Sequence, residues 1–557
     1  MAQLSILFNT EELSSDTWYS TNIEDFRQSI CITRHTTSTL DIFIWGDIAY
    51  RHLDRQITSD ILNNRFESYC GRSWIAINNK SRIINFATDT YGAFPIIYYK
   101  DNNNIILASS RTSLNQSLKK PLELKKQSLK EIVVLGQLFS SNSILKNTTH
   151  FMGNTQATLT IKNSELKQKN SKNEIFNSNL KTKYSDAKEA LIEAVRMSVN
   201  SGINPLISLS GGLDSRAILA ACDLLNLKPD ALCYGVANST DVNYAKLLAN
   251  SCGLTLHHPT NLKTNISDSV IHRVSKASMG EVPFHHAHAL IDDKILNKTL
   301  GRSIITGTGA ESYRAFYYDR GMPGFNFFDL ALLNNWSTPR IKRYIQEEFL
   351  KQTHPLLAPL LGHKSIEAKI ESVFERYINP LLPATKQADI FYLTTRCQRM
   401  VVAGQQLLDS YYNRSHPFLN HDVVKTMLHL PAKLKLHSTF HRQFIADVSP
   451  KLAKLPWDKT QKPLKKGLNF SEKYPGLATR LKLNAAYGKA SKPMYLYGYH
   501  HLNANVLDET LRLITDNDSE FCSLKHLVQK HKLENYLIGF GLIWLNMNNR
   551  IKLQKAG

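Results

Sequence analysis

Between residues 185 and 309 short apolar runs alternate with amphipathic stretches, and no other feature limits the fold as tightly. "SDAKEALIEAVRMSVNSG" has helical spacing, with Ser185 as its expected N-cap. Then come strand "PLISLS", helix "LDSRAILAACDLLNL", strand "ALCYGV", helix "DVNYAKLLANSCG", strand "LTLHHPT", helix "SDSVIHRVSKAS" and strand "RSIITGTG". Alternation of this kind means a parallel sheet covered by helices. In an open parallel sheet, ligands sit outside the carboxyl ends of the strands, where helix N-termini point.

The rest of the chain has a different grammar. Residues 1–115 carry short alternating apolar segments such as "TLDIFIWGDIAY", "SWIAINNKSRIINFATD" and "FPIIYYKDNNNIILASS", joined by Asn, Asp and Gly turns, which read as antiparallel strands. Residues 121–137 turn helical, and a further β pair follows in "THFMGNTQATLTIKNSELKQK". The segment 167–184 is polar and rich in Lys, Asn and Ser, the composition of a linker. From about residue 326 to "NYLIGFGLIWLNMNNRIKLQ" the chain reads as mostly helical. The expected class is α/β: an antiparallel α+β unit over 1–166, the linker 167–184, and a parallel-sheet unit with a helical C-terminal part over 185–557. A chain of 557 residues is long enough for such a division.

Composition excludes several classes. The formal charge of +21 favours anionic ligands, but the basic runs "LKKPLELKKQSLK" and "KTQKPLKKG" are short, and a nucleic-acid partner is not expected. The seven cysteines show no C-x-x-C spacing, which disfavours a zinc site or a disulfide framework and favours a reducing compartment. "MAQLSILFNTEELSSD" lacks the pattern of a signal peptide, and no run approaches the ~18 apolar residues of a membrane span. A cytoplasmic setting is expected.

"SGGLDS" (210–215) falls between the strand and helix at the start of the parallel unit. Gly211 and Gly212 let backbone N–H groups approach an anion and tolerate positive φ, and Ser210 and Ser215 offer hydroxyls to phosphate. Asp214 would repel phosphate unless a cation lies between, and Mg²⁺ suits that place. The loop is not the Walker type, because no Lys follows the glycines. It resembles the pyrophosphate-binding loop of the ATP pyrophosphatases, which split ATP between the α and β phosphates and adenylate a substrate oxygen.

The wider chain resembles the asparagine synthetase family. "FATDTYGAFPIIYY" with "ASSRTSL", "GDIAYRHL", "ITGTGAES", "QRMVVAG", "HPFLNHDVVKTMLHLP" and "LPWDKTQKP" are similar to family segments and keep their order. The resemblance implies an Ntn-hydrolase-like, glutamine amidotransferase-like domain followed by an ATP-pyrophosphatase domain, with ATP and Mg²⁺ as cofactors. It implies that Leu209, Tyr234 and Gly235 flank the adenosine, and that Thr306 and Gly307 approach the ribose or the reacting acyl group. It also implies that Asp214 and Glu311 share magnesium, and that Lys462 stabilises the charge of the intermediate, with Lys459 and Lys466 as rivals.

The chain also departs from that family. Glutamine-hydrolysing members carry a Cys after the initiator Met as nucleophile; residue 2 here is Ala, Ser5 is no substitute, and Trp45 stands where the family clamps glutamine with Asn. The first domain is therefore expected to lack glutaminase activity. Thr308 and Asn413 replace acidic residues on the acceptor side, and His285, His286 and His288 are alternative bases, metal ligands or loop residues. The expectation is an AMP-forming amide ligase acting on a small-molecule, sugar or peptide carboxylate. Its amine would be ammonia, ammonia from a partner, or an amine of the substrate, as in the β-lactam synthetases and lasso-peptide cyclases. The alternatives are glutamine-dependent asparagine synthesis, a non-catalytic nucleotide-binding subunit and an RNA-modifying ATP pyrophosphatase.

Overall fold

Strand-forming residues dominate the first part of the chain and build two antiparallel sheets; Ile83–Ala87 and Ile97–Lys100, read from the sequence as consecutive antiparallel strands, fall in different ones. One antiparallel sheet runs in the order β10 (Thr148–His150), β7 (Ile97–Lys100), β8 (Asn104–Ala108), β1 (Gln3–Asn9) and β2 (Tyr19–Glu24). A second runs β12 (Glu165–Asn170), β11 (Thr155–Thr160), β6 (Ile83–Ala87), β5 (Arg72–Asn78), β4 (Leu40–Gly46) and β3 (Ile32–Thr36). The computed structural model describes residues 3–9, 18–24, 32–118, 122–170, 173–235, 239–258, 273–274, 277–282, 292–318, 336–352, 361–464 and 551–552.

Side chains on a strand alternate between faces, so each sheet can cover two cores. Phe43, Trp45, Ile75 and Ile77 join the main core. Their neighbours Ile42, Ile44, Trp74 and Ala76 face the opposite way and pack on Ile57 and Ile61 of the helix Asp54–Leu62. The helix Arg111–Ser117 packs on β1 and β8.

The second half holds a five-stranded sheet, every neighbouring pair parallel, in the order β15 (Leu256–His257), β14 (Asp230–Leu232), β13 (Leu206–Ser208), β16 (Ser303–Ile305) and β17 (Asn413–Ser415). Leu206, Ile207, Ala231, Leu232, Ile304 and Ile305 are all buried, as strands covered on both faces require. The helix Leu213–Leu224 is buried from Ser215 to Cys222 and packs against the helices Tyr184–Asn200 and Thr439–Val448. From β13 the chain steps outward to β14 and β15, then returns to the other side of β13 for β16 and β17. This reversal opens a crevice outside the carboxyl ends of β13 and β16.

Several sequence expectations are corrected here. Residues 167–170, read as the start of the linker, complete β12, because they pair with Thr158 to Thr155 of β11. The helix expected to be capped by Ser185 begins at Tyr184, with the Asp186 carboxylate accepting from Lys183 N–H at 2.9 Å. Within 121–137 only Lys126–Leu135 is α-helical; Leu122–Glu123 form β9, paired in parallel with β18 (Ile551–Lys552) at the end read as helical. β17 lies in a region read as helical and extends the parallel sheet.

Buried polar contacts join the two halves. Arg111 donates from Nε to Glu281 Oε2 (3.0 Å) and from Nη1 to Gln406 Oε1 (2.6 Å). Ile144 N–H donates to Glu281 Oε1 (2.9 Å), and Gly153 N–H donates to Gln398 Oε1 (3.1 Å). Among the described residues no helix is long and apolar enough to cross a membrane.

Candidate functional site

The crevice is built first by the segment after β13. Leu209 is buried, and its N–H donates to Leu232 O at 2.8 Å. Ser210 N–H then donates to Ser215 Oγ (3.1 Å), the two hydroxyls lie 3.3 Å apart, and Gly212 N–H reaches Ser210 Oγ at 3.3 Å. Gly211 N–H, read as an anion donor, donates to Asp241 Oδ1 at 3.1 Å. Neither Gly211 nor Gly212 takes the positive φ that the sequence allowed. The demand for glycine at 211 is spatial: a Cβ there would stand 2.9 Å from Asp458 Cβ and 3.2 Å from Tyr244 Cβ. Gly212 caps the helix Leu213–Leu224 without a side-chain hydrogen bond, so the first-turn N–H groups face the crevice uncapped.

The second wall follows β16. Thr306 N–H donates to Ser415 O at 3.0 Å, and Gly307 packs so close to the first loop that a Cβ would lie 2.8 Å from Asp214 Cβ. Gly309, at φ 94°, turns the chain into the short helical turn Ala310–Tyr313 that carries Glu311. Gly235, at φ 131° after β14, and half-buried Tyr234 complete the rim. Gly307→Ala should force the loops apart at a cost of about 1–3 kcal/mol. Gly212→Ala, whose Cβ would meet only Ser210 Oγ at 3.4 Å, should cost no more than about 1 kcal/mol, the N-cap preference for Gly over Ala. Chemical denaturation of the two variants checks the contrast.

Charges crowd this junction. Asp214 Oδ2 lies 3.3 Å from Arg314 Nη2, and the same nitrogen is 3.7 Å from Glu311 Oε1. Glu311 Oε2 accepts from Tyr392 OH. Asp214 Oδ1 is buried without a hydrogen-bond partner; His441 Nε2 stands 3.6 Å away, too far to supply one. Burial pushes the Asp214 carboxyl above the usual range, and Arg314 and Lys459 pull against that shift. Burial, with Arg314 adding to it, holds His441 well below the ordinary imidazole value, so its ring is neutral. Asp458 is also pushed up by burial, and its Oδ1 has no hydrogen-bond partner. Beside it Arg216 ties the chain after Leu455 to the first loop through Leu455 O, Pro456 O and Gly211 O.

A hydrogen-bond chain enters from the side of β17. Arg414 pairs with Asp409 at 2.5 and 3.2 Å, and its Nη1 lies 2.9 Å from His416 Nε2. A guanidinium can only donate, so Nε2 accepts and the neutral ring carries its proton on Nδ1. Nδ1 is 2.8 Å from Thr306 Oγ1, and Thr306 in turn donates to Thr308 Oγ1 at 2.8 Å. Asp47 of the first half accepts from His416 N–H at 3.0 Å. Burial and Arg414 depress His416 far below its ordinary value. At about pH 6, below the ordinary imidazole pKa of about 6.5, selective ¹⁵N NMR should still find His416 neutral in the Nδ1–H form.

The fold thus brings together Leu209, Ser210, Gly211, Gly212, Asp214, Ser215, Tyr234, Gly235, Thr306, Gly307 and Glu311, all at the carboxyl ends of the parallel strands. Lys462 is half-buried in a turn, where its carbonyl accepts from Trp457 N–H at 2.9 Å; the charge of Lys459 acts on Asp214. Asn413 does not face the crevice. It pairs with Ser303 at the opening end of the strands and donates to Gly301 O at 3.2 Å, while His416 occupies the crevice end. Trp45 is packed in the main core. Lys466, His285, His286, His288 and residue 2 lie outside the described residues. Sequence reasoning missed Arg314, His416, His441, Asp241 and Asp458. Only Arg314 left a signal, its spacing of three from Glu311 in a helical turn.

No family model matches this sequence. No curated protein matches it either. Among solved structures, one similar chain is glutamine phosphoribosylpyrophosphate (PRPP) amidotransferase from B. subtilis, complexed with ADP and GMP. It is 9% identical, with a TM-score of 0.18, and the match covers 56% of this chain and 71% of that chain. A likeness this low says nothing about the chemistry of the present crevice.

Proposed function

We propose that this chain is an asparagine synthetase-like, ATP-dependent ligase that adenylates a carboxylate, releases pyrophosphate and joins the acyl group to an amine. One observation carries the reading: the "SGGLDS" and "TGTGAES" loops abut at the strand-order reversal of a parallel sheet, with Gly307 against Asp214. In this reading the uncapped first turn of the helix Leu213–Leu224, with Ser210 and Ser215, binds the pyrophosphate part of ATP. Leu209, Tyr234 and Gly235 border the adenosine, and Thr306 and Gly307 approach the reacting acyl group. The orphaned Asp214 Oδ1 fits a cation. Mg²⁺, when bound there, would neutralise phosphate charge. An ion shared with Glu311 does not fit while Arg314 Nη2 stands between the two carboxylates. Lys459 takes the cationic role ahead of Lys462 because its charge acts on Asp214.

The first half is proposed as a glutamine amidotransferase-like domain without glutaminase chemistry, a reading supported by the core-packed Trp45 at the expected clamp position. The amine is then ammonia, delivered free or by a partner, or an amine of the substrate. The five described cysteines are buried free thiols, in keeping with a proposed cytoplasmic setting. Carboxylate-dependent exchange of labelled pyrophosphate into ATP tests the function across a panel of amino-acid, sugar and peptide carboxylates. Exchange with one class supports it. A second reading, a nucleotide-binding subunit without catalysis, is favoured by Arg314 between the carboxylates and by Asp241 on Gly211 N–H. ATP binding without exchange for any carboxylate would select it.

A further inference from the structure

Two buried arginines among the described residues are held in forks. Arg72 meets Asp54 through two parallel bonds, at 2.8 and 2.7 Å. Arg414 forks onto Asp409 and also reaches His416 and Ala93 O. Arg314 differs. One nitrogen, Nη2, serves both Asp214 Oδ2 at 3.3 Å and Glu311 Oε1 at 3.7 Å, the second beyond hydrogen-bond distance. Its Nε is buried without a partner. Such a guanidinium supplies charge without being held in a fork. The carboxylates around it are better fixed: Asp214 sits in the first turn of a buried helix against Gly307, and Glu311 is tied to Tyr392. Asp214 Oδ1 is left over, buried and unpartnered. A divalent ion shared by the two carboxylates, with oxygens at about 2.1 Å, needs the space that Nη2 fills.

We infer that Arg314 is an exchangeable cation: it fills the place between Asp214 and Glu311 until a divalent ion enters with an anionic ligand, and then turns onto that ligand. The inference takes from the ligase reading only that a phosphate-bearing ligand and its ion enter at Asp214. Metal and anion binding are then coupled. Metal alone must displace a resident charge, whereas an anion that draws Arg314 away opens the carboxylates, and the coupling is reciprocal.

The test uses the full chain and Mn²⁺ alone, followed by the free-ion EPR signal, then Mn²⁺ with pyrophosphate. Arg314→Met should bind Mn²⁺ more tightly than the parent, by on the order of tenfold. Pyrophosphate should tighten Mn²⁺ binding in the parent and do so less in the variant. Arg314→Gln, which keeps polar contacts without the charge, carries the same expectation should Arg314→Met fail to fold. Adding Asp214→Asn to either variant should remove the gain. Binding no tighter in the Arg314 variants, or a gain that survives Asp214→Asn, overturns the inference. The readout needs no turnover, so a chain without ligase activity can still pass it, and an active ligase can fail it.

Discussion

Asp214→Asn is expected to lower ATP-dependent pyrophosphate release by about a thousandfold or more while the chain stays folded. The two halves of this expectation come from different features. Activity falls because Asp214 presents a buried, unclaimed carboxylate oxygen beside the uncapped turn proposed for pyrophosphate. Stability survives because burial raises this carboxyl above its unfolded value. A carboxyl raised in the folded state makes folding less favourable above that pKa, and the penalty fades as pH falls through it. The neutral amide lacks the penalty at neutral pH, so the thermal midpoint should match or exceed the parent's. Release at the parental rate would remove Asp214 from the mechanism.

The second large effect is on stability. Arg414→Met should cost about 3–5 kcal/mol, because the removed guanidinium leaves Asp409 buried without its partner. More than the pair is lost. Arg414 donates to Ala93 O at 3.2 Å and lies over the Phe94 ring at 4.9 Å, so it also fastens the first half to β17. It is the donor that fixes the His416 tautomer as well. Arg414→Lys cannot reach all of these acceptors from one ammonium and should recover little of the loss. Denaturant unfolding with probes in each half checks both variants. A loss below about 1 kcal/mol, the range of an exposed ion pair, would mean that the pair is not structural.

What the sequence made legible follows from locality. The unit β13–loop–helix could be read because an apolar run, two glycines and an amphipathic stretch state it within some twenty residues. Two-residue alternation showed the N-terminal strands but not their partners: β6 and β7, read as consecutive antiparallel strands, lie in different sheets, and β8 pairs with β1. β17 was hidden because "NRS" has no apolar content: its burial rests on Arg414 finding Asp409 and Asn413 finding Gly301 O. Arg314 could be seen near Glu311 in sequence, but nothing local tells that Asp214, a hundred residues earlier, faces it. Two lysines three residues apart also do not reveal that Lys462 O accepts from Trp457 N–H while the charge of Lys459 reaches Asp214. His416 passed as one residue of a resemblance, although its position after β17 aims it at Thr306.

The central claim is that this crevice cleaves ATP between the α and β phosphates to activate a carboxylate. The most direct measurement is the nucleotide product formed with the carboxylate that supports exchange, supplied with ¹⁸O in its carboxyl group together with ammonia or an amine. The account predicts AMP carrying one ¹⁸O, pyrophosphate and an amide. ADP with inorganic phosphate, or AMP without the label, would contradict it.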